Sequence, residues 1–199
     1  MTTKQITREQ WLQHAVTVLR SEMKPRGVVI PEVKVSCSWP GGGSARKRIG
    51  ECWATGASKA RINEIFISPK IESSSKAVSI LLHELAHAVD DCKNAHRAPF
   101  TAIGKLMGMT GKPTQMQPAE ADADAWAQRV INKHGVYPHQ TLDKSMSPTK
   151  KQTARMIRCE CTECSAVWRM SGKVIAAAIG ELSCPVCHTQ EEGAISINT

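Results

Sequence analysis

The segment Ser79-Ile-Leu-Leu-His-Glu-Leu-Ala-His-Ala88 places two histidines four residues apart with a glutamate beside the first. On a helix His83 and His87 project from one face, one turn apart. Two imidazoles at that spacing can share one zinc ion, and Glu84 stands where it can take a proton from water at the metal. The neighbours Ile80, Leu81, Leu82, Leu85, Ala86 and Val89 are apolar, so the helix is expected to be buried. Burying two histidines and a carboxyl group is costly unless a metal or hydrogen bonds satisfy them. The competing reading is a core helix with ordinary histidines, and the helical context argues against it.

A catalytic zinc has three protein ligands and one open position. Two residues can supply the third ligand. His96 lies nine residues after His87, close enough for a short loop to return it. Glu120 opens the segment Glu-Ala-Asp-Ala-Asp-Ala-Trp126, and a carboxylate from a later helix also completes some zinc sites. Spacing alone does not choose between them. His134 and His139 are candidate oxyanion donors, with a surface role the stronger reading. Asp90 and Asp91 could orient a ligand imidazole or simply end the helix in solvent.

A second constellation lies near the C-terminus. Cys161-Thr-Glu-Cys164 and Cys184-Pro-Val-Cys187 are paired C-x-x-C knuckles separated by 19 residues. That spacing suits a structural zinc held by four thiolates. Such an ion would fold a segment too short to bury its own core. A redox dithiol is the alternative, and two paired knuckles argue against it. Cys159 and His188 are spare ligands, whereas Cys37, Cys52 and Cys92 read as small buried apolar residues.

The elements that must position these groups follow from pattern. Residues 7–24 form an amphipathic helix, with Thr7 as N-cap and Gln10 three later. Val28–Trp39 reads as a strand, Ile49–Ala54 as a second and Glu64–Ser68 as a third. The metal-motif helix is expected from Ser74 to Asp91. Further helices are expected from Pro99 to Gly108 or Gly111, and from Pro118 to Lys133. Residues 137–151 are rich in Pro, Ser, Thr and Lys and read as a linker. The expected organisation is an α+β domain over 1–136 and a small zinc ribbon over 152–199.

The chain has 199 residues, 41% hydrophobic, with a formal net charge of +8. Residues 1–150 hold all of that excess, with 21 Lys/Arg against 13 Asp/Glu. Clusters at Arg46-Lys47-Arg48 and at Lys150, Lys151, Arg155 and Arg158 could neutralise phosphates, or could be solvated surface. Trp168, Arg169 and Lys173 between the knuckles could stack on a base and hold phosphates. No apolar run approaches a membrane span, and the first nine residues lack a signal-peptide core. A cytoplasmic protein without membrane contact is expected, its cysteines serving as metal ligands rather than disulfides.

The run Ile65–Met116 resembles the SprT-like (Spartan-type) zinc metalloproteases. Ile65-Phe-Ile-Ser-Pro69 is similar to the strand ahead of that family's metal helix, and Leu81–Ala88 to the helix itself. His96, with Phe100 four later, resembles the third-ligand segment, although Arg97 stands where the family usually has Gly. Leu106-Met-Gly-Met-Thr-Gly-Lys112 resembles a Gly-Leu-x-Gly-Lys stretch of bacterial and phage members, and Lys151–Arg155 with Cys161, Cys164 and Arg169 resembles their first knuckle. The resemblance implies a zincin-like domain followed by a zinc ribbon, and favours His96 over Glu120. It implies peptide-bond hydrolysis with Glu84 as base, a catalytic zinc on His83, His87 and His96, and a structural zinc on Cys161, Cys164, Cys184 and Cys187. It also implies a protein substrate associated with DNA, which the ribbon or a basic patch touches; the charge clusters make Lys150, Lys151, Arg155, Arg158, Arg169 and Lys173 the candidate nucleic-acid contacts. The alternative is a nucleic-acid-binding or regulatory protein that keeps the fold with little proteolysis.

Overall fold

The computed structural model describes residues 6–41, 48–142, 156–178, 181–189 and 195–198. The chain divides into two units, Met1–Lys144 and Ser145–Thr199, and has the α+β character expected. Among the described residues no helix is long and apolar enough to cross a membrane.

Unit one begins with helix α1 (Arg8–Met23). Its start is a reciprocal cap: Gln10 N donates to Thr7 Oγ1 at 3.1 Å, and Thr7 N to Gln10 Oε1 at 2.9 Å. Trp11, Leu12, Ala15, Val16, Leu19 and Met23 recur on one face and are all buried. Gly27 ends the following turn with φ +74°, a left-handed conformation that glycine adopts without a Cβ clash.

Three strands follow: β1 (Val33–Cys37), β2 (Gly50–Trp53) and β3 (Asn63–Ile67). β3 is central, parallel to β1 and antiparallel to β2. Strand β1 starts at Val33, five residues later than the valine pattern suggests. Pro31 has no N–H to give a ladder, and the Arg20 guanidinium takes the carbonyls of Ile30 and Pro31. Those carbonyls are satisfied by a side chain, so no strand partner is needed.

Helix α2 (Ser74–Val89) carries the His-Glu-x-x-His segment and packs on β2, β3, α1 and α4. Ser73 caps it, its Oγ accepting from Lys76 N. Helices α3 (Ala98–Leu106) and α4 (Glu120–His134) complete the unit. Arg26 sits over the Trp126 ring in the middle of α4 at 5.9 Å and donates to the Met107 carbonyl just past α3 at 3.2 Å.

Residues 137–142, expected to start a linker, are part of unit one and pack on its helices and the loop at Pro69. Tyr137 is buried, its ring 5.1 Å from that of Trp11, and its N–H donates to Ser74 Oγ at 3.0 Å. His139 Nε2 donates to the Pro69 carbonyl at 2.9 Å, and Leu142 N donates to the same carbonyl at 2.9 Å. The remaining expected linker, 143–151, lies outside the described residues.

Unit two holds β4 (Met156–Cys161), β5 (Val167–Ser171), the short helix α5 (Gly172–Ala177) and β6 (Ile195–Asn198). β4 is central and antiparallel to both neighbours. Its Cys159 and Cys161 are fully buried.

Candidate metal centres

Helix α2 delivers His83 and His87 as the four-residue spacing predicts. The chain then turns sharply through 90–97 and returns His96 to them. This turn holds three non-glycine residues at positive φ: Asp91 (53°), Cys92 (58°) and Ala95 (45°). Such conformations are costly for residues with a Cβ and need outside support. Asp91 provides much of it, accepting from Thr55 N at 2.8 Å and from Asn63 Nδ2 at 3.1 Å. Those bonds hold its carboxyl below the usual range, the Thr55 N–H foremost. Cys92 N donates back to the His87 carbonyl at 2.8 Å.

The three imidazoles converge through one type of atom. His96 Nε2 lies 3.2 Å from His83 Nε2 and 3.2 Å from His87 Nε2. Nitrogens bound tetrahedrally to an ion at zinc-like distances would stand about 3.4 Å apart. The group can therefore hold one metal ion with little rearrangement. His83 Nδ1 lies 3.0 Å from the Met116 carbonyl, which fixes the proton on Nδ1 and leaves Nε2 free to ligate. Burial is the main influence lowering the pKa of all three, and His87 is pushed down to about 3. Neutral imidazole is the ligating form.

Phe100 is the common wall behind these rings. It is fully buried, stacks on His87 at 4.1 Å and 20°, and lies 5.1 Å from both His83 and His96. Glu120, the rival ligand, is exposed at the start of α4 and is not part of the cluster. Asp91 binds the sheet rather than an imidazole. Both carboxylate oxygens of Asp90 are buried without a hydrogen-bond partner among the described residues.

Glu84 is buried, 6% exposed, with its carboxyl against β2 at Gly50. Burial raises its pKa to about 8, with Cys92 and Glu51 adding to the rise. An ion on the histidines would act in the opposite direction. The cleft in front measures about 670 Å³. Arg48–Cys52 line one side, Thr114–Gln117 another, and Cys92, Ala95 and His96 are also in its wall. Cys52 and Cys92, read from sequence as apolar filler, line this cleft with their sulfurs 3.4 Å apart. His134 and His139 do not reach it. His134 stacks on His14 at 3.8 Å, and His139 binds Pro69 and Arg8.

In unit two the four knuckle cysteines meet. Cys161 and Cys187 sulfurs are 3.6 Å apart, and those of Cys164 and Cys184 are 3.5 Å apart. Four sulfurs at zinc-like bond lengths would stand about 3.8 Å apart, so this group too can hold one ion. The knuckles close alike. Each second cysteine precedes a residue at positive φ, Ser165 (57°) and His188 (60°). Ser165 N donates to Cys161 O and His188 N to Cys184 O, at 3.0 and 2.9 Å. The spare residues Cys159 and His188 do not join the cluster.

The basic residues are only partly placed. Arg46, Lys47, Lys150, Lys151 and Arg155 lie outside the described residues. Arg158 and Arg169 face each other across β4 and β5, with Arg158 paired to Glu160. Arg169 and Lys173 are exposed, and Trp168 is half-buried opposite Cys159.

Comparison with protein-family models, curated proteins and solved structures finds no match to this chain.

Proposed function

We propose that the chain is a zinc-dependent metalloprotease of SprT-like type, with a zincin-like catalytic domain and a zinc ribbon. The observation that carries this reading is the convergence of three imidazole Nε2 atoms beside a buried glutamate in an open cleft. In the proposed site His83, His87 and His96 hold a catalytic zinc, and Cys161, Cys164, Cys184 and Cys187 hold a structural one. Zinc, when bound, supplies Lewis acidity toward a peptide carbonyl and acidifies water. Glu84 then takes a proton from water and returns it to the leaving amine. The Met116 carbonyl keeps His83 in the ligating tautomer, and Phe100 keeps the rings converged. Arg97, where the resemblance expects Gly, has φ −81° and an extended backbone, which any residue adopts.

The substrate class is protein, in association with DNA by family resemblance. Arg158, Arg169 and Lys173 offer described cations for phosphate contact, whereas Trp168 lies on the other face of β5, opposite the buried Cys159. A regulatory protein without proteolysis is the less favoured reading, because Glu84, a carboxyl group able to act as base, lines the same cleft as the three histidines.

The test is a cleavage assay on the zinc-loaded full chain, with and without single-stranded DNA, beside Glu84→Gln. Cleavage by the wild type and none by a variant that retains two zinc equivalents supports the proposal. A wild type that binds zinc and DNA but cleaves no protein under either condition moves the chain to the regulatory reading.

A further inference from the structure

Cys52 lies on β2 and Cys92 in the turn that returns His96, 40 positions further along the chain. Their sulfurs nevertheless stand 3.4 Å apart, and Cys92 Sγ also lies 3.5 Å from the Cys52 carbonyl. Both residues are half-buried, and both line the cleft, so a small solute in the cleft can reach them. Neither belongs to either candidate metal group. A disulfide has its sulfurs about 2.05 Å apart. Closing the gap asks for a movement of about 1.4 Å, within reach of side-chain rotation and a small shift of the turn.

We infer that Cys52 and Cys92 form a thiol modification site, which hydroperoxides convert to a reversible disulfide that ties the His96-bearing turn to β2. The chemistry balances in two steps. One thiol sulfur attacks the O–O bond of the hydroperoxide, giving a sulfenic acid and releasing water or an alcohol. The second thiol attacks that sulfur, the S–S bond forms, and a second water leaves. Two electrons pass from the dithiol to the peroxide. A dithiol reductant reverses the change by exchange.

The disulfide has a structural consequence because of where Cys92 sits. The turn is held to Thr55 and to the sheet at Asn63 by the Asp91 carboxylate. A covalent tie one residue further on restrains the opening that would carry His96 away from the other two histidines. This inference rests on the sulfur geometry and stands or falls apart from proteolysis.

The experiment treats the folded full-length protein with hydrogen peroxide, alkylates the remaining thiols and maps peptides without reduction. The expected product is a Cys52–Cys92 cross-linked peptide, two hydrogens lighter than its parts, which dithiothreitol restores. Hydrogen exchange across residues 93–97 should slow by about tenfold in the oxidised form. In Cys52→Ser, Cys92 should be trapped as a sulfenic acid by dimedone, with no cross-link. Peroxide treatment that leaves both thiols alkylatable, or a cross-link that forms only in denaturant, would overturn the site. A cross-link with unchanged exchange would overturn the tether.

Discussion

The carboxyl group of Glu84 rests on the backbone of Gly50, and a methyl group there would overlap Glu84 Oε1 and lie 2.7 Å from Ile80 Cγ2. Strand and helix thus approach where the proposed base sits, and only a residue without a side chain leaves room. Gly50→Ala should displace Glu84 while leaving the three histidines untouched. Cleavage should fall by at least about tenfold, as for a misplaced catalytic group, with zinc content unchanged. Parallel metal analysis and cleavage rates on this variant check the expectation.

Phe100 touches all three histidines, so its loss should be felt twice. Phe100→Ala should cost about 3–5 kcal/mol of stability, as for a deeply buried aromatic. It should also weaken metal binding, because the imidazoles lose their common wall. Phe100→Leu should recover much of the stability but less of the metal affinity, since it cannot stack on His87. Denaturant unfolding and competition with a metal-binding dye separate the two effects.

Removal of metal should expose the cost of burying Glu84. Its pKa is raised from an ordinary carboxyl value to about 8. Between those values the folded metal-free protein holds a proton that the unfolded chain has released. Stability should therefore fall as pH rises through that window, by at most about 1.4 kcal/mol per pH unit, and level off above pH 8. Glu84→Gln carries no such proton. Urea unfolding of both metal-free proteins at pH 5 and pH 8 should show the variant gaining on the wild type at the higher pH. The lowered histidines act on the acid side and are common to both proteins.

The two units should respond differently to chelation. The histidine site is backed by a buried core that includes Trp11, Leu81, Leu85 and Phe100. Unit two has few fully buried side chains besides its cysteines among the described residues. A strong chelator should leave unit one folded and unfold unit two, and Cys161→Ser should do the same without chelator. Amide exchange followed separately in the two units reports this directly.

Much of unit one was legible because its signals are local. The Thr7–Gln10 cap and the apolar stripe of α1 lie within one helix, and so does the His83–His87 spacing. The start of β1 was not legible, since Arg20 competes from ten residues away for the carbonyls of Ile30 and Pro31. The strap 137–142 was missed for a related reason: its polar residues bind specific groups at Pro69, Lys70 and Ser74. Cys52 and Cys92 carry no pattern linking them, because only the folded sheet and turn make them neighbours. β6 carries a period-two signal in Ile195-Ser-Ile-Asn198, though four residues are too short for it to stand out from its surroundings.

The turn that returns His96 is bent through Asp91, Cys92 and Ala95, and Thr55, Asn63 and the His87 carbonyl anchor it. Loading of this centre then resembles filling a finished socket. The incoming cation need shed only its own hydration shell, with no chain segment waiting to condense around it. Uptake should follow a single exponential whose rate scales with ion concentration and barely responds to mild denaturant. A site assembled by its cargo would instead show a lag and a memory of its previous state.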